Sequence, residues 1–231
     1  MKIKRKIQIF ADFAMTVMLP LLMAYNMIGD TLHEWIGAAM FVMFIIHHVI
    51  NFRFAASIAK GKYTANRIFI TAVDFLLLAD MLALMLSAVI LSRHVFAFLH
   101  LNVSFSFART AHLLGSYLGF ILMSVHIGIH FHTVISTVQK KISNHNRILN
   151  IISKVLCAAI SSYGLYVFLS RKISAYLFLK TQFVFLDFSE PLILFLFDYI
   201  SMMILFGAVG YYISKLLRLT DKIRRKNGGN V

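Results

Sequence analysis

Cysteine is nearly missing from this chain: among 231 residues there is one, Cys157. A single thiol excludes a disulfide framework, the CxxC pair of thiol redox proteins and the CxxCH motif of covalently attached haem. Charge is scarce as well, at 14% of residues, against about 25% in soluble domains. Gly-rich phosphate loops, HExxH and GxSxG do not occur, which removes the commonest signatures of nucleotide, zinc-peptidase and serine-hydrolase chemistry. No stretch alternates with period two as a membrane barrel does. There is no internal repeat of convincing period and no low-complexity tract.

What fills the chain is apolar. Hydrophobic residues make up 60% and the mean hydropathy is +0.80, where soluble domains average about 45–50% apolar. This is the composition of a polytopic membrane protein. A net charge of +14 in a soluble protein would suggest nucleic acid. Here the basic residues lie between apolar segments, so a lipid bilayer accounts for them and no nucleic-acid partner is expected. Six helical spans are predicted, at residues 7–29, 34–57, 66–91, 108–135, 149–169 and 192–214. The N-terminal MKIKRK and the apolar run after it resemble a secretory leader. The run is too long for one, holds Asp12 and Pro20 and lacks an A-x-A site, so a retained first span, kinked at Pro20, is expected.

Eighteen Lys and Arg fall on one side of these spans and five on the other. By the positive-inside rule both termini are expected in the cytoplasm, with the protein in the cytoplasmic (inner) membrane. Loops are short through residue 107, so the first four spans should form an up-down four-helix bundle. The polar, basic stretch 136–148 marks the boundary. The expected division is residues 1–140 as a four-helix transmembrane domain and 141–231 as a C-terminal transmembrane pair. That pair carries an external aromatic-rich segment, 173–191.

Histidine is where chemistry concentrates. His33 and His47 are 14 residues apart, and so are His112 and His126. Fourteen residues of α-helix turn through about 1400°, roughly 40° short of four whole turns, and rise about 21 Å. Each pair therefore lies near one face. The second and fourth spans run in the same direction, so His33 meets the height of His112, and His47 that of His126. Two imidazole pairs at two depths are the ligand set for two stacked bis-histidine haems, and neutral imidazole is a common axial ligand. With both axial positions filled, such a haem passes electrons and has no substrate site of its own. Gly37, Gly115 and Gly119 lie beside these histidines, where a flat macrocycle or ordinary helix packing would use them.

Other residues leave choices open. His48 is rotated about 100° from His47. His130 lies one turn past His126 and competes with it for the inner site, or serves a quinone or proton path. His94, His100, His132 and His145 read as interfacial or loop residues. Arg93 and Arg109 sit at the outer end, where haem propionates would be paired or headgroups anchored. Asp12, Asp74 and Asp80 lie inside spans, where a carboxylate is costly unless partnered. Holding a ligating imidazole N–H is one use; a proton route and plain interhelical bonding are others.

The runs HEWIGAAMFVMFIIHHVINF (33–52), SRHVF (92–96) and ARTAHLLGSYLGFILMSVHIGIHF (108–131) resemble the flavinylation-associated cytochromes, small four-helix membrane cytochromes b. The resemblance covers about residues 1–135. It implies b-type haems on His33, His47, His112 and His126, with Asn51 matching the asparagine four residues after the family's histidine. It also implies electron exchange across the membrane with an extracytosolic FMN-binding flavoprotein. The expectation is an all-α membrane protein carrying two haem b groups, an electron-transfer subunit whose donor is a quinone or a cytoplasmic-side reductant. The alternatives are a metal or proton-coupled transporter that uses the histidines as a path, and a haem-binding assembly subunit.

Overall fold

A computed structural model describes residues 3–52, 58, 60, 63–99, 105–141, 147–181 and 189–228, with the backbone alone for 132–141, 147, 149, 150 and 225–228. Among these residues there are helices and no strands. The order is α1 (Ile3–Met23), α2 (Tyr25–Ile28), α3 (Asp30–Ile50), α4 (Ala65–Leu91), a short 3₁₀ turn (Ala97–Leu99), α5 (Phe105–Lys141), α6 (Arg147–Ser170), α7 (Ile173–Leu177) and α8 (Leu192–Gly228). Six of them are long and apolar enough to cross a membrane. The chain is an all-α, multi-pass membrane protein.

The reason is the solvent. Hydrocarbon offers backbone N–H and C=O groups nothing to bond, so each span must satisfy them within itself. A core about 30 Å thick takes about 20 residues of helix. α1 and α3 have 21 residues each and meet that length with little to spare. α5 and α8 have 37 each, about 55 Å of helix, and run well past it. Large apolar side chains such as Phe13, Val49, Leu86 and Ile193 stand exposed, as lipid-facing residues do. α5 is the most enclosed of the six.

The first span is shorter than the 7–29 read from hydropathy. α1 passes through Pro20 and stops at Met23, and the chain turns through α2 to Gly29. Gly29 has φ +81° with nothing within 4 Å of a Cβ built on it. Its glycine is required by backbone conformation alone. Hydropathy alone conceals this break because Met27 and Ile28 prolong the apolar run of α1.

The chain forms two compact units that interleave along the sequence. The first comprises Met1–Gly61, Asp80–Ser116 and Leu179–Phe197; the second comprises Lys62–Ala79, Tyr117–Phe178 and Asp198–Val231. In the first, α1 packs along α3, and the Glu34 carboxylate gathers the segment after α4. It accepts from Ser92 Oγ at 2.6 Å and from the backbone N–H groups of Arg93, His94 and Val95 at 2.8, 2.9 and 3.0 Å.

In the second unit, α8 lies backbone against backbone with its neighbours. A Cβ on Gly128 of α5 would collide with the Gly207 carbonyl, and one on Gly164 of α6 with the Ser201 carbonyl. Small residues let membrane helices approach this closely. Asp198 of α8 is bound by Arg171 through Nε and Nη2 (2.8 and 2.6 Å) and by the Tyr163 hydroxyl at 2.6 Å, an ion pair with a buried carboxylate and a half-buried guanidinium. Tyr117 stacks on Tyr176 with ring centres 4.5 Å apart. At the far end of α8, Asp221 accepts from the backbone N–H groups of Ala65 and Asn66 at 3.1 and 3.2 Å and so caps α4.

Candidate functional site

α3 and α5 bring their first histidines together edge-on. The ring centres of His33 and His112 are 6.2 Å apart, with planes at 74°. Tyr25, at the turn before α3, lays its ring edge on His33 at 5.0 Å. Its hydroxyl pKa is raised, first by burial and then by a hydrogen bond with Asp30.

The protonation of His112 can be deduced from its neighbour. Ser87 Oγ lies 2.9 Å from the Leu84 carbonyl and 3.1 Å from His112 Nδ1. A hydroxyl has one proton, and the carbonyl can only accept it. Towards His112 the serine oxygen is therefore the acceptor and Nδ1–H the donor. That leaves Nε2 as a bare lone pair, the form a metal binds. Ser116 Oγ donates to the His112 carbonyl. His33 Nδ1 is buried without a hydrogen-bond partner. Buried polar atoms are normally satisfied, and this nitrogen is an exception.

The second histidine of each helix is held by a carboxylate. In the first unit, His47 Nδ1 donates to Asp12 Oδ1 at 2.7 Å. Asn51 donates to the His47 carbonyl at 2.9 Å and accepts from Gln8 Nε2 at 2.9 Å. In the second unit, His126 Nδ1 donates to Asp74 Oδ1 at 2.8 Å. Each bond places a proton on Nδ1, as in carboxylate–histidine–metal arrangements. The two carboxylates differ in setting: the Asp12 side chain is 54% exposed and that of Asp74 14%. His47 belongs to the first unit and His126 to the second.

Of the intramembrane acids, Asp12 and Asp74 take the imidazole-holding role and Asp80 does not. Asp80 is buried, and its Oδ2 has no partner. His48 turns aside as the 100° rotation predicts: its Nδ1 donates to the Phe44 carbonyl at 2.9 Å and its ring lies 4.1 Å from that of Phe44. His130 stays with His126, ring centres 4.6 Å apart. His94 is tied in, with Nε2 3.3 Å from Thr31 Oγ1. Arg93 and Arg109 are exposed. Gly37 leaves open space, with only Leu22 at 3.9 Å, whereas Gly115 is filled by Leu84 at 3.0 Å; helix packing uses it. Gly119 is buried. His100, His145, the side chain of His132, residues 142–146 of the expected boundary and residues 182–188 of the aromatic segment lie outside the described residues.

Ser87 and Glu34 are the residues that sequence reasoning missed. Nothing local marks Ser87, because its partner lies 25 positions away. Glu34 adjoins His33 at the start of a span, and a carboxylate there is a usable signal.

No protein-family model matches the chain, nor does any curated protein or solved structure.

Proposed function

We propose that this protein is an integral-membrane b-type cytochrome that carries electrons across the bilayer on two bis-histidine haems. One haem is held by His33 and His112 and the other by His47 and His126. The observation that carries the reading is the pairing of His33 with His112. Their ring centres stand 6.2 Å apart, and neutral imidazole is a common axial ligand of haem iron. The orphaned His33 Nδ1 and the free Nε2 of His112 supply nitrogens for such a group.

Haem supplies the one-electron couple. The protein supplies ligands of set tautomer: Ser87 holds His112, Asp12 holds His47 and Asp74 holds His126. Arg93 and Arg109 pair with the propionates of the outer group. Along α3 the two levels stand about 21 Å apart. The donor is a quinone or a cytoplasmic-side reductant, the acceptor an extracytosolic FMN-binding flavoprotein. The chain sits in the cytoplasmic membrane with both termini in the cytoplasm.

The test is a dithionite-reduced minus oxidised spectrum of the purified protein with pyridine haemochrome quantitation. Two b-type haems per chain are expected, falling to one in His112→Ala. A preparation with no reversible b-type band would sink the proposal. It would favour a proton or metal-coupled transporter, the reading suggested by two carboxylate–imidazole pairs inside membrane spans.

A further inference from the structure

The second unit holds a cluster that haem ligation uses only in part. Asp74 on α4 and His126 and His130 on α5 each offer one donor atom, and the three lie within 4.8 Å of one another. The histidines are one helical turn apart, so a single face of α5 presents both. Asp74 reaches them from the neighbouring helix. At metal–donor distances of about 2.0–2.1 Å, tetrahedral ligands stand about 3.3 Å from one another. Ion binding would bring the three donors to that spacing in place of the His126–Asp74 hydrogen bond.

Donor chemistry names the ion. Two imidazoles and one carboxylate suit borderline first-row divalent ions, while calcium and magnesium want oxygen throughout. Electrostatics points the same way. A carboxylate inside a membrane span is costly when charged, and a dication coordinated to Asp74 offsets that cost. His130 is the exposed member of the cluster, and Asp74 and His126 are half-buried.

We propose that Asp74, His126 and His130 form a binding site for a divalent transition-metal ion of the zinc class. Three protein donors leave a coordination position open to water or a small ligand. The site stands without the haem reading. One consequence rests on that reading: His126 serves either the ion or the inner haem, so the two exclude each other.

The test is titration of the purified, haem-depleted full chain with cobalt(II) chloride, followed by the visible ligand-field bands. One ion per chain is expected. Asp74→Asn and His130→Ala should each weaken binding about tenfold or more, and His48→Ala should leave it unchanged. Absence of ligand-field bands overturns the proposal, as do bands that survive both substitutions; far-ultraviolet circular dichroism verifies that the variants remain helical. A separate arm adds zinc before haem. Haem uptake should then fall from two per chain to one. Unaltered uptake of two removes the exclusion and leaves the site to the cobalt titration. A chain that takes up no haem with or without zinc defeats the cytochrome reading and leaves the cobalt result to stand by itself.

Discussion

A serine hydroxyl has one proton to give, and Ser87 gives it to the Leu84 carbonyl. On the proposed cytochrome reading, the behaviour expected of His112 as a ligand follows from that. By accepting from Nδ1, the serine oxygen increases the electron density that Nε2 offers a metal, which favours the oxidised state. Ser87→Ala should therefore raise the midpoint potential of the outer haem. A neutral hydrogen bond is worth about 1 kcal/mol, or about 40 mV for one electron, and the inner haem should not move. Asp74 makes the stronger, charged bond to His126 and is the less exposed of the two carboxylates. Asp74→Asn, measured with metal chelated away, should raise the inner potential by on the order of 100 mV. Asp12→Asn should do less, because the Asp12 carboxylate is open to its surroundings. Potentiometric titration of each variant checks all three. At this scale the meeting of His33 with His112 was legible, since helical geometry turns a 14-residue interval into a shared face, and His47 and His126 stood out by the same interval. Their second partners were legible only as a list of three candidate acids. Which acid meets which ring is decided by helix packing across 35 and 52 residues of sequence.

At the scale of elements, Glu34 and Gly128 do opposite things. Glu34 organises by attraction, gathering four donors from residues 92–95 onto one carboxylate. Glu34→Ala should release that segment, with a local cost of about 2–3 kcal/mol. Hydrogen exchange at the amides of Arg93, His94 and Val95 should then speed up by roughly a hundredfold; unchanged exchange would mean that the segment is held by something else. Gly128 organises by leaving room. Gly128→Ala puts a methyl where the Gly207 carbonyl stands, and overpacking of this kind costs about 1–3 kcal/mol. A fall in Tm on the order of 5 °C is expected. Gly37→Ala meets only Leu22 at ordinary contact distance and should leave the Tm of the haem-free protein where it is. The six spans could be read from hydropathy because lipid imposes a length on every crossing helix. Their ends could not. The break at Gly29 is set by one positive φ inside an apolar run, and α8 continues to Gly228, past the apolar stretch, where Asp221 caps α4.

For the whole molecule, the strongest long-range signal is the placement of charge. Eighteen basic residues between and beyond the spans face five, and the six from Lys215 to Lys226 lie on the last stretch of α8. Positive charge near span ends resists translocation, so the eighteen-residue side is expected to stay in the cytoplasm. Alkaline phosphatase fused after Phe96 should be active, and the same enzyme fused after Gly228 inactive. A fluorescent protein at the C-terminus should mature and fluoresce. This orientation bears on function as well as topology. On the proposed cytochrome reading, that orientation would set His33 and His112 on the outer side, where a flavin domain would accept electrons, and His47, with its Asp12 partner, on the side of the cytoplasmic donor. The reverse fusion pattern would exchange those roles: the His33–His112 pair would face cytoplasmic reductants, and an extracytosolic flavoprotein would have to meet the Asp12–His47 end. The spectrum of the protein would not distinguish these cases, because the same ligands hold the same groups in both. The fusions do.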